Sequence, residues 1–132
     1  MPPVRHVLVV HHAPMVVEAL DMTLTGQGFT VHPAATFRDA KALLSALGDG
    51  VTAVVVHADM PNQPKAGTLL RLVRTSHPEA ALVVLSARAR QEIGPLPRRA
   101  VLLREPFDRE ELMHAIVHAS DPRIAGLANA HR

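Results

Sequence analysis

The sequence predicts an α/β fold, a doubly wound parallel sheet with helices on both faces, and three observations point there. Short apolar runs alternate with longer amphipathic stretches along the chain. The runs are rich in Val and Leu with little polar alternation, the pattern of strands buried on both faces. Five such runs interleave with five helical segments and no internal repeat, which is the βαβ arrangement that right-handed crossovers wind onto both sides of a sheet.

The first strand is read over Val4 to Val10, with Val7, Leu8, Val9 and Val10 nearly continuous. Pro14 suits the first turn of a helix reaching about Gln27, with Val16, Leu20 and Leu24 on one face and Gly26 and Gly28 closing it. Phe29 to His32 is a short strand, placed at an edge because Pro33 follows. Thr36 is an N-cap, Asp39 complements the helix dipole, and Phe37, Ala40, Leu44 and Leu47 form the buried stripe that ends at Gly48 and Gly50. Val51 to Val56 is a central strand. After a loop with Pro61 and Pro64, a helix runs from about Ala66 to His77, burying Leu69, Leu70 and Val73, and Pro78 stops it.

Ala81 to Leu85 and Ala100 to Leu103 are the fourth and fifth strands. Between them Gly94, Pro95 and Pro97 leave the fourth helix no more than Ala87 to Ile93. Asp108 and Glu111 make a capping box for a last helix to about Ala119, burying Leu112, Ala115, Ile116 and Ala119.

Composition narrows the classes. With 132 residues, 48% hydrophobic and 20% charged, there is room for one domain with an ordinary core. Three Phe, no Trp and no Tyr leave the packing to aliphatic side chains, and the absence of Cys removes disulfides and thiolate metal sites. The opening Met-Pro-Pro-Val-Arg-His lacks the pattern of a leader, and the apolar runs are too short to span a bilayer, so the expectation is a cytoplasmic protein without membrane contact. A net charge of +2 and a pI near 9.9 hint at anionic partners. Direct nucleic-acid binding is not expected, because the Arg residues do not share one helix and stacking rings are scarce.

In doubly wound sheets ligand chemistry gathers beyond the carboxyl ends of the strands. The residues to read there are His11 and His12, His57, Ser86 and Glu105. Val7-Leu8-Val9-Val10-His11-His12-Ala13-Pro14, Val54-Val55-Val56-His57-Ala58-Asp59-Met60-Pro61, Leu82-Val83-Val84-Leu85-Ser86-Ala87 and Leu102-Leu103-Arg104-Glu105-Pro106-Phe107 fall in order at these ends. The chain thereby resembles the receiver domains of two-component response regulators, from about Val4 to Ala119.

The resemblance implies a flavodoxin-like sheet in order 2-1-3-4-5, a domain over residues 1–119 and a cis bond before Pro106; the C-terminal tail over 120–132 has no strong pattern and is expected to be partly flexible. It also marks what has been lost. Receivers carry two acids where this chain has His11 and His12, the acceptor Asp where it has His57, and a Lys where it has Glu105; Ser86 alone keeps its type. A Tyr or Phe lever used by many receivers is replaced by Leu102. The implied Mg²⁺ prefers oxygen ligands, an acyl phosphate needs a carboxylate, and Glu105 would repel phosphoryl oxygens.

Asp59 lies two residues past the acceptor position, where its simplest role is that of a turn residue. The reading is a pseudo-receiver: a phosphorylation-independent signalling protein working by protein–protein contact, with no enzymatic activity and no cofactor. No nucleophile–base–orienter set and no glycine-rich phosphate loop is present. Arg88, Arg90, Arg98, Arg99 and Arg104, against Glu92 alone, mark a basic partner face suited to a protein with an acidic patch, and a homodimer is compatible with it. The rival from another class is a metal- or pH-responsive sensor, with His11, His12, His57 and Glu105 as the ligands for Zn²⁺. Neighbouring side chains diverge in an extended segment, which sets His11 and His12 against a shared ion. His114 and His118, one helical turn apart, have a spacing that could chelate a metal, and are read as an inert pair on a solvated face.

Overall fold

A computed structural model describes residues 4–120. The apolar runs form strands β1 (His6–Val10), β2 (Thr30–Ala34), β3 (Val51–His57), β4 (Ala81–Ser86) and β5 (Val101–Arg104). Helices α1 (Pro14–Gly26), α2 (Phe37–Leu47), α3 (Thr68–Ser76) and α4 (Arg109–Ser120) connect or follow them. All five strands pair in parallel in the order β2-β1-β3-β4-β5, as expected.

The pleat divides the core into two. Val7, Val9, Val55, Val83 and Leu85 meet Leu20 and Leu24 of α1 and Leu112, Ala115 and Ile116 of α4. Leu8, Val10, Val54, Val56, Leu82 and Val84 meet Ala40 and Leu44 of α2 and Leu69, Leu70 and Val73 of α3. Central strands covered on both faces have no use for polar alternation, which is why the runs are apolar throughout.

The caps are local and behave as read. Thr36 Oγ1 accepts the Asp39 N–H at 3.0 Å. Asp108 Oδ1 accepts from Glu111 N at 2.8 Å while Glu111 Oε1 accepts from Asp108 N at 3.1 Å, so two orphan donors of α4 are satisfied reciprocally.

Most element ends fall within two residues of expectation, and three departures have a local cause. β2 continues through Pro33 to Ala34, because Pro33 sits on the outer side of an edge strand, where no N–H is needed. α3 begins at Thr68, not Ala66, because Gly67 takes a left-handed φ of 82°. Its first turn is capped from outside: Gln63 Oε1 accepts from Leu69 N at 2.9 Å while its amide donates to Met60 O at 3.0 Å. The fourth crossover holds no α-helix, only a 3₁₀ turn at Arg90–Glu92, with Glu92 Oε1 accepting the Ala89 N–H at 2.9 Å. Ile93 is buried, and Leu96 of this segment and Leu102 of β5 pack against the α2–α3 side of the core. Of the expected tail, residues 121–132 lie outside the described residues.

Candidate functional site

The sheet delivers the strand-end residues to one place. Backbone bonds continue past the strands, from His11 N to Ala34 O (3.1 Å), Ala58 N to Leu85 O (2.9 Å) and Glu105 N to Ser86 O (2.9 Å). The bond between Glu105 and Pro106 is cis. The strand ends bring His11, His57 and Glu105 together: Glu105 Oε2 lies 3.6 Å from His11 Nε2, and Glu105 Oε1 lies 3.5 Å from His57 Nε2. Both distances are too long for a direct hydrogen bond and short enough for strong charge coupling.

The rings of His11, His12 and His57 touch one another, with centroids 4.6 to 5.1 Å apart. The expected divergence of His11 and His12 does not occur, because His12 already lies in the turn beyond β1, where strand alternation has ended.

Two backbone amides fix the ring protons. His11 Nδ1 accepts from Ala13 N at 3.0 Å, and His57 Nδ1 accepts from Asp59 N at 3.1 Å. A neutral ring that accepts through Nδ1 carries its proton on Nε2, so both N–H bonds are directed to the Glu105 side. His11 is only 4% exposed and its Nε2 has no hydrogen-bond partner. Burial pulls the His11 imidazole below its ordinary value, the His57 ring adds to that, and Glu105 opposes it. Burial likewise lowers His57, again against the pull of Glu105.

The implied Mg²⁺ does not fit these residues, which present nitrogens where it requires several oxygens. For Zn²⁺ the set of four contracts to three. One ligand atom each from His11, His57 and Glu105 lie within 4.8 Å of one another, and His12 does not join them. A ring that binds metal through Nε2 holds its proton on Nδ1 and donates it to an acceptor. Here the Nδ1 atoms of both rings face backbone N–H donors instead, so the surrounding hydrogen bonds are of the wrong polarity for such a centre.

Ser86 is buried and its Oγ accepts from Arg88 N at 3.0 Å, which turns it into a cap for the chain leaving β4. The Asp59 carboxylate reaches Arg88 at 2.6 Å instead of bonding nearby backbone, a pairing that sequence reading missed because it joins two loops.

The five arginines do not form one patch. Arg88 is held by Asp59 and by Glu92 O, and Arg104 donates to Ala87 O at 3.3 Å, both near the carboxyl end of the sheet. Arg90 lies in the 3₁₀ turn. Arg98 and Arg99 precede β5 at the opposite end, where Arg99 donates to Pro78 O and both lie close to Arg74.

No family model and no curated protein sequence matches the chain. Solved structures do. A response regulator receiver protein from Sinorhizobium medicae aligns with a TM-score of 0.78 at 23% identity, over 91% of this chain and 97% of that one. The signal receiver domain of an HD domain-containing protein from Pseudomonas fluorescens aligns at 0.75 and 20% identity, over 100% and 96%. CheY in a CheX–CheY–BeF3–Mg²⁺ complex from Borrelia burgdorferi aligns at 0.73 and 20%, over 86% and 87%. At such identities the likeness is one of fold, and the fold is that of a receiver domain.

Proposed function

We propose, from the receiver fold and the rebuilt pocket, that this chain is a signalling module of a two-component or related pathway that acts by protein contact without being phosphorylated. The observation that carries the reading is the pairing of His57 with Glu105 at 3.5 Å, because the acceptor and Lys positions now form an imidazole–carboxylate pair. Two electrostatic facts support it. Phosphoryl oxygens brought to this pocket meet the Glu105 anion, and no cation lies at the Lys position to neutralise them. The acceptor position offers a ring whose Nδ1 already accepts from Asp59 N. Among the described residues no nucleophile–base–orienter set accompanies it, and the role we read is regulatory.

The Borrelia neighbour was captured with a protein partner and with BeF3 and Mg²⁺. This chain is expected to share the first kind of contact and not the second. The test is a ¹⁵N–¹H spectrum recorded with and without beryllofluoride and Mg²⁺. Unchanged resonances for His11, His57, Ser86 and Glu105 are expected; a saturable shift of these residues contradicts the reading.

A second reading, a pH-responsive module, is favoured by three imidazoles in mutual contact, two of them beside the Glu105 carboxylate. It uses the same pocket and is compatible with action by protein contact.

A further inference from the structure

Arg74, in the last turn of α3, carries an unanswered hydrogen-bonding edge. Its Nη1 donates to Pro78 O at 2.9 Å and to Ala80 O at 3.0 Å, which pins the guanidinium to the start of β4. Its Nε and Nη2 are buried and have no acceptor. Those two nitrogens are the side-on fork that takes a carboxylate or phosphate through parallel bonds. Buried donors without partners are costly, and the great majority in folded proteins are satisfied.

The surroundings are basic. Arg98 and Arg99 act on Arg74 with the same sign, and Glu79 is the one acid among the described residues that counters them. Arg71 and Arg98, both exposed, line with Arg74 a groove of about 510 Å³. Leu70 of α3 and Leu96, Pro95 and Pro97 of the Pro-rich segment supply the apolar part of its wall, and Thr75 adds a hydroxyl. The groove exists because the fourth crossover has no helix to pack beside α3.

We propose that this groove docks an acidic segment of a partner protein, one carboxylate seating on Arg74 Nε and Nη2 between Arg71 and Arg98, with neighbouring apolar side chains against Leu70 and Leu96. Both donors are buried, so side chains of the groove shift to admit it, Arg71 giving up its bonds to Ala66 O at 3.4 Å and to Thr68 Oγ1 at 3.3 Å. A protein segment fits better than a nucleic acid: none of the three Phe lines the groove for a base to stack on, and Leu70, Leu96, Pro95 and Pro97 make part of its wall aliphatic. The inference rests on the reading that the chain works by protein contact, and it names the surface.

The test follows the Arg74 Nε–H resonance of the ¹⁵N-labelled chain as a synthetic peptide of alternating Glu and Leu is added. A saturable shift is expected, together with affinity weakened about tenfold or more when Arg71→Glu and Arg98→Glu are combined. Arg74→Ala is a poor choice, because Arg74 also holds Pro78 and Ala80; the exposed pair avoids that difficulty, and an unchanged melting temperature verifies it. Arg38→Glu with Arg109→Glu, exposed positions elsewhere, is the control and is expected to change affinity by no more than about twofold.

No shift of Arg74 overturns the proposal. So does equal binding of a Gln–Leu peptide, tighter binding of oligo-dT or inorganic phosphate, or equal losses in the two double variants. Phosphoryl uptake is read separately: labelling of the chain would defeat the proposed function while leaving a peptide shift at Arg74 intact.

Discussion

Ala13 N and Asp59 N decide what the pocket imidazoles can do. By donating to Nδ1 of His11 and His57 they leave Nε2–H as the neutral ring's only free polar group, facing Glu105. The pH consequence follows from the lowered values of both rings. A His whose folded value lies below 6.5 binds its proton more readily in the unfolded chain. Its contribution to stability is therefore whole above about pH 6.5 and is lost as pH falls toward the folded value. Thermal melting from about pH 8 to about pH 5 should show this loss, and Glu105→Gln should deepen it, because the carboxylate that helps both rings accept a proton is gone. Superimposable profiles for the two proteins would show that Glu105 does not act on the rings. Mg²⁺ should leave the melting temperature unmoved, since a ligand stabilises only what it binds. The residue types at this site are plain in the sequence. The ring tautomers are not, because they depend on amides two positions downstream in turns whose shape the fold sets.

At the scale of elements, signals carried within a few residues were readable and those carried across the fold were not. The caps at Thr36 and at Asp108 with Glu111 depend on neighbours three positions away, and the sequence shows them directly. Thr36→Ala removes the acceptor for Asp39 N and should cost about 1 kcal/mol in urea unfolding; an unchanged midpoint would mean that the α2 terminus is held by packing alone. Gln63 capping α3 from six residues away has no comparable signature. Nor does the persistence of β2 through Pro33, which depends on the outer side of an edge strand needing no donor. Gly94, Pro95 and Pro97 announce a shortened fourth helix. Its contraction to one 3₁₀ turn comes from Ser86 Oγ and Glu92 Oε1, which accept the Arg88 and Ala89 amide hydrogens that a longer helix would leave at its own start.

For the whole molecule, the sheet keeps the receiver arrangement and the changes lie at its rim. β3 is its central strand with β1 and β4 on either side, and Leu82 of β4 is fully buried against the α2–α3 layer. Leu82→Ala should destabilise by about 2–5 kcal/mol, measured by chemical denaturation, and a loss below 1 kcal/mol would be out of keeping with so closed a core. The strand order was legible because buried runs, crossovers and strand-end motifs all agree, and agreement across levels is what specifies a fold. The same rim that carries phosphoryl chemistry in receivers here holds three imidazoles and a carboxylate. Groups that work as a unit are not restored one at a time. The decisive measurement is therefore the intact mass of the protein and of its His57→Asp variant after incubation with acetyl phosphate and Mg²⁺. A fold closed to phosphoryl transfer predicts that neither gains the mass of a phosphoryl group, and a stoichiometric, hydroxylamine-sensitive gain in either would contradict it.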